Sequence, residues 1–149
     1  MAAHFAKVVS VMPMVEHQAL EESCVLVEAE AKSLIGEYQG AAGPFGAWAD
    51  LADSTLADKA AKGFGVPDPL LRTGEMRDSI EHTVRGRSGH VGSDNDKAVW
   101  QTFGTSRIPP RDFLGHAAVH KEKQILSLTG RHVYGALIAG ANRIALPTI

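Results

Sequence analysis

The chain has 149 residues, 44% of them hydrophobic, and 15 Lys and Arg against 17 Asp and Glu leave a net charge of -2. That balance is ordinary for a globular domain and too mild for a dedicated nucleic-acid binder; a domain of this length buries roughly 70% of its unfolded surface, enough for one core without cross-links. The single cysteine, Cys24, excludes an intrachain disulfide and any multi-cysteine zinc or iron-sulfur site.

No apolar run approaches the about 20 residues of a bilayer span, and residues 1–14 lack the apolar block of an export signal. The composition predicts one domain over 1–149, with a flexible N-terminal segment (about 1–14) and an extended loop (about 40–72). The charge is unevenly divided: residues 1–71 sum to -6 and residues 72–149 to +4. Such a division suits complementary faces on neighbouring subunits, and equally two solvated faces that never meet.

In chain order, Leu20, Cys24, Val27, Ala31, Leu34 and Tyr38 step by alternating fours and threes, which predicts one apolar stripe on a helix over 15–38. The Gly- and Pro-rich run Gly36 to Gly46 ends it, and a short helix is expected from about Asp53 or Ser54 to Gly63. Residues 73–79 read as a single helical turn capped by Thr73. Ile80, His82 and Val84 alternate with Glu81, Thr83 and Arg85, the period of a half-buried strand; Gly86 to Gly89 supplies a hairpin turn, and a return strand starts near His90.

Residues 97–103 read as a short helix stopped by Gly104. Pro109 and Pro110 then force an ordered extended loop. Asp112 caps a last helix through Leu128, weakened at Gly130 and ending near Gly140. The predicted fold class is α+β, with a long N-terminal and a C-terminal helix packed on a small antiparallel sheet.

Few residues combine into chemistry. His116 and His120 stand four apart on the last helix, a spacing that presents two imidazoles to one metal, but Ala117 occupies the position where the zincin motif needs Glu. They are expected to face solvent or a partner; a small metal-dependent enzyme using this pair is the alternative. Asp94, Asn95 and Asp96 start like a calcium loop, yet Val99 and Thr105 fill the positions that require Gly and Glu. No phosphate-loop glycine pattern and no nucleophile elbow is present, and Cys24 on its apolar stripe reads as a small hydrophobe. Arg85, Arg87, Arg107 and Arg111 with Trp100 and Phe103 interleave poorly for nucleic acid. The expectation is no catalytic residue, no metal ligand and no cofactor.

Two segments are more specific. The first is Trp48-Ala49-Asp50-Leu51-Ala52-Asp53-Ser54-Thr55-Leu56 followed by Pro69-Leu70-Leu71-Arg72-Thr73-Gly74-Glu75-Met76-Arg77-Asp78-Ser79-Ile80. The second is Val91-Gly92-Ser93, then Ala98-Val99-Trp100-Gln101-Thr102-Phe103-Gly104-Thr105-Ser106-Arg107-Ile108-Pro109-Pro110-Arg111-Asp112-Phe113-Leu114. Together they resemble the neck or tail-component proteins of long-tailed double-stranded DNA bacteriophages, close to the phage virion morphogenesis proteins. Met76 stands where that family usually has Leu, and no acid precedes Phe103.

The resemblance implies a non-enzymatic structural virion protein at the head-tail junction, completing the neck or the head-proximal end of the tail. It implies a ring oligomer, with a hexamer as the favoured count, and contacts with head-closure or connector proteins and with tail-tube or terminator proteins. Incidental contact with channel DNA fits it, and membrane contact does not. The location it implies is the virion, and the host cytoplasm during assembly; another minor tail or head-closure component is the near alternative. Arg107, Ile108, Pro109, Pro110 and Arg111 are the expected assembly contacts. Leu71, Thr73, Gly74, Ser79, Ile80, Phe103, Gly104, Thr105, Phe113 and Leu114 form the structural motif, with Phe103 and Phe113 expected in the core on either side of the proline loop.

Overall fold

A computed structural model describes residues 2–139 and shows an α+β fold. The order is α1 (Ala2–Leu34), α2 (Asp53–Ala61), α3 (Glu75–Asp78), β1 (Ile80–Arg85), β2 (Ser88–Ser93), α4 (Asp96–Phe103) and α5 (Phe113–Ala139). Helices α1 and α5 pack along each other. Pairing of Glu30 with His120 and of Glu22 with His132 makes them antiparallel. The two strands form an antiparallel ribbon, Ile80 opposite Ser93 and Arg85 opposite Ser88, laid on α1.

The first helix is longer at its start and shorter at its end than the sequence suggests. Residues 2–14, expected as a flexible lead-in, are helical, and the helix runs through Pro13 with Val8 and Val15 buried on either side of it. At the other end it stops at Leu34, not Tyr38. Gly36 takes a left-handed φ of 109° and its N–H donates to the Pro69 carbonyl at 2.9 Å, so the chain turns away. Tyr38 leaves the stripe but still packs on the core, and its hydroxyl accepts from the Leu51 N–H at 2.9 Å.

The main core gathers the end of α1 (Ala31, Leu34) and Ile35 just past it, Trp48, Met76, Ile80, Ala98 and the start of α5 (Phe113, Ala117). Period-two alternation in β1 turns Ile80, His82 and Val84 toward α1, which leaves Glu81, Thr83 and Arg85 in solvent. Asp112 caps α5 as expected, its Oδ1 accepting from the Gly115 N–H at 2.8 Å. Asn95 does the same for α4 through the Lys97 N–H. Thr73 does not cap α3: the cap position is Gly74, at φ 88°, and no side chain bonds there, because the left-handed turn carries Thr73 outward into solvent. Residue 140, the expected end of α5, lies outside the described residues.

Gly104, which closes α4, has φ 75° and ψ 176°, a region that side-chain-bearing residues scarcely enter. A Cβ there would lie 2.8 Å from the Ile108 carbonyl oxygen and 3.0 Å from the Pro110 nitrogen. Gly104→Ala is therefore expected to destabilise by about 1–3 kcal/mol in urea titration. Gly130→Ala, in open space on α5, should instead stabilise by up to about 1 kcal/mol.

Candidate functional site

The loop after α4 is built by its own hydrogen bonds. Thr105 Oγ1 accepts from the N–H groups of Arg107 (3.2 Å) and Ile108 (3.1 Å), and the Thr105 N–H donates to the Ile108 carbonyl at 2.8 Å. With Pro109 and Pro110 next in line, the turn presents a fixed shape, Arg107 and both prolines outward and Ile108 half-buried. Arg107 has no ion-pair partner among the described residues.

Arg111, expected beside Arg107 as an assembly contact, points the other way. It is 3% exposed, and its guanidinium donates to the carbonyls of Ala49 (3.1 and 2.8 Å) and Asp50 (3.0 Å). Its planar fork holds the loop before α2 against the start of α5. Burial pushes its pKa down, while Tyr38 and Asp50 push back. The contact candidates thus reduce to residues 107–110.

Phe103 is the second correction. It is 78% exposed, on an outer face of α4 with Val99 at 51% and Trp100 at 50%, while Ala98 takes the core position of that helix. The small side chain goes inward, as close approach of a helix to a packed core requires, and the two aromatic rings of α4 are left outside. Phe113 is fully buried as expected. Beside Trp100 opens a cleft of about 490 Å³ between α2, the Pro69–Gly74 turn and α4, its wall including Leu51, Leu71 and Met76.

Other motif residues hold this end together. Ser79 Oγ donates to the Met76 carbonyl and lies 2.7 Å from Ser93 Oγ, tying the start of β1 to the end of β2. Ile80 is fully buried, and Leu71 and Leu114 pack on the core. The Lys59 ammonium, buried in the same region, donates to the carbonyls of Asp68 and Leu71 (2.9 Å to the latter) and staples the turn; desolvation lowers its pKa.

His116 is buried, not facing solvent or a partner. Nδ1 lies 2.6 Å from the Asp112 carbonyl and Nε2 3.1 Å from the Gly40 carbonyl, with the Trp48 ring edge-on. His120 sits 6.3 Å away by ring centroid and is paired with Glu30 at 2.8 Å. Helical spacing makes the two neighbours, but each ring's nearest polar partners lie elsewhere. Among the described residues no group of three or more His, Cys, Asp or Glu side chains converges as a metal would need.

The charge division between the halves is met in part inside the chain. Every glutamate of α1 has a partner: Glu16 with Arg87, Glu21 with His82, Glu22 with His132, Glu28 with His82 and Lys32, and Glu30 with His120 and Lys121. Apart from Lys32 these partners come from the ribbon and α5. Arg87 and Lys121 are fixed cations of the basic half, while the histidines carry charge only when protonated, so the acidic half meets part of the basic half within one subunit.

Comparisons with protein-family models, with curated proteins and with solved structures gave no match.

Proposed function

We propose that the chain is a structural subunit of the head-tail junction of a long-tailed phage, assembling as a ring that completes the neck or the head-proximal end of the tail. The observation that carries this reading is the unpartnered outer face of α4, Val99, Trp100 and Phe103, next to the rigid turn 105–110. Aromatic residues exposed by half or more on one short helix are costly in water and are what a protein contact covers. Both features fall in the segments that carry the resemblance to neck and tail-component proteins. A ring closes through two different faces of each subunit, so this end of the molecule would meet a different surface of the next copy.

The test is a folded variant with a changed face. Phe103→Asp combined with Arg107→Glu should keep the parental melting temperature, since both side chains are exposed, and should abolish joining. In a phage complementation assay it should yield filled heads and separate tails, with infectious titre reduced at least about 100-fold, as loss of a central interface residue can bring. Parental titre from this variant, confirmed to be folded, would overturn the reading.

A further inference from the structure

Among the side chains that hold the ribbon on α1 is one whose bonding is complete in only one protonation state. His82 points inward from β1 between two turns of α1, its Nδ1 against a Glu28 carboxylate oxygen and its Nε2 3.1 Å from Glu21 Oε1. A neutral imidazole carries a single N–H, so it donates to one carboxylate only and turns a lone pair toward the other; the imidazolium donates to both. The double contact is therefore specific to the charged ring.

We propose that the β1–β2 ribbon is a pH-gated strap on α1, latched by doubly protonated His82 between Glu21 and Glu28 and loosened when that ring loses a proton. The groups around the ring are few. From α1 come Glu21, Glu28, Lys32 behind Glu28, and the Cys24 thiol, which lies near Glu21. Across the ribbon β2 presents Val91, while Glu81, Arg85 and His90 alternate onto the outer face. Among the described residues α5 contributes no ion-pair partner to His82. Farther along, Arg87 at the turn pairs with Glu16 while lying largely in solvent, and such a pair contributes little.

The titration follows from this geometry. The hydrogen bond to Glu28, then that to Glu21, raises the His82 pKa against desolvation. A raised histidine is fully effective below its unfolded value, and its contribution disappears as pH rises through the folded one. His82 and then Lys32 hold the Glu28 carboxyl low, so the Glu28 side of the latch persists into acid.

Beneath it lies the Cys24 thiol, close enough to β2 that a Cβ on Gly89 would sit 2.5 Å from Sγ. Burial, then the Glu21 charge, raises the thiol pKa. Loosening the strap uncovers this thiol.

Hydrogen exchange of the full chain tests the proposal, with rates corrected for intrinsic base catalysis. From about pH 6 to about pH 9, protection of the amides of residues 81–92 should fall about tenfold relative to α5, the effect of one charge-assisted hydrogen bond. His82→Gln should be loosely protected at every pH, without a step. In Glu21→Gln a neutral ring donates to Glu28 and accepts from the introduced side-chain amide, so both contacts survive deprotonation. Its step should shrink even if the histidine variant fails to fold. A ribbon without a pH step in the parent, or with a full-sized step in Glu21→Gln, overturns the proposal.

Discussion

Phe113→Ala should lower stability by about 3–5 kcal/mol, a large part of the roughly 5–15 kcal/mol of an ordinary domain. Phe113 is fully buried where the end of α1, Met76, Ile80 and the start of α5 converge, so truncation leaves a cavity with walls supplied by several different elements. Walls of that kind cannot collapse together without moving helices, which puts the cost toward the upper end. Thermal unfolding should shift down by about 6–20 °C. Phe103→Ala, an equal change in volume, should stay within about 0.5 kcal/mol because its ring lies in water already. Equal losses in the two variants would show that Phe103 is covered in the isolated chain.

Arg111→Glu should prevent stable folding. The substitution places a buried carboxylate against the carbonyl oxygens of Ala49 and Asp50, which have lost their donor and gained a repelling charge. Breaking a buried charged interaction from one side costs about 3–5 kcal/mol, before the added repulsion. Arg111→Lys keeps the charge but not the fork that reaches two carbonyls, so it should fall between the parent and Glu in urea titration. Arg107→Glu should unfold with the parental midpoint, because no ion pair among the described residues holds Arg107. Parental stability of Arg111→Glu would mean that the guanidinium is not buried in solution.

Where one residue decides a local conformation, the sequence is enough. Asp112 predicts a helix start because a carboxylate can accept from the N–H three residues on, and it does so. The parity of Ile80, His82 and Val84 predicts a ribbon with one face on the rest of the molecule, and the same parity turns His82 inward. Phe103 and Arg111 escape such a reading because their burial depends on which side of a short segment faces the core. Helix α4 carries apolar residues on two sides, and spacing alone does not say that Ala98, the smallest of them, faces in. Likewise an arginine after two prolines reads as exposed until the loop at residues 49 and 50 supplies carbonyls for it. Lys59 escapes for the same reason, since its acceptors are backbone atoms nine and twelve residues away.

The pairing of α1 with α5 also sets an order of events in synthesis. Helix α1 is complete by Leu34, whereas the helix that covers its length begins at Phe113, about 80 residues later. At roughly 5–20 residues per second the ribosome takes about 4–16 s to cross that interval. For that time a 33-residue amphipathic helix has no long partner, and Glu22 and Glu30 lack His132, His120 and Lys121, which arrive only with α5. The nascent chain is most vulnerable to association and proteolysis in this window, and docking of α5 ends it in a single late step.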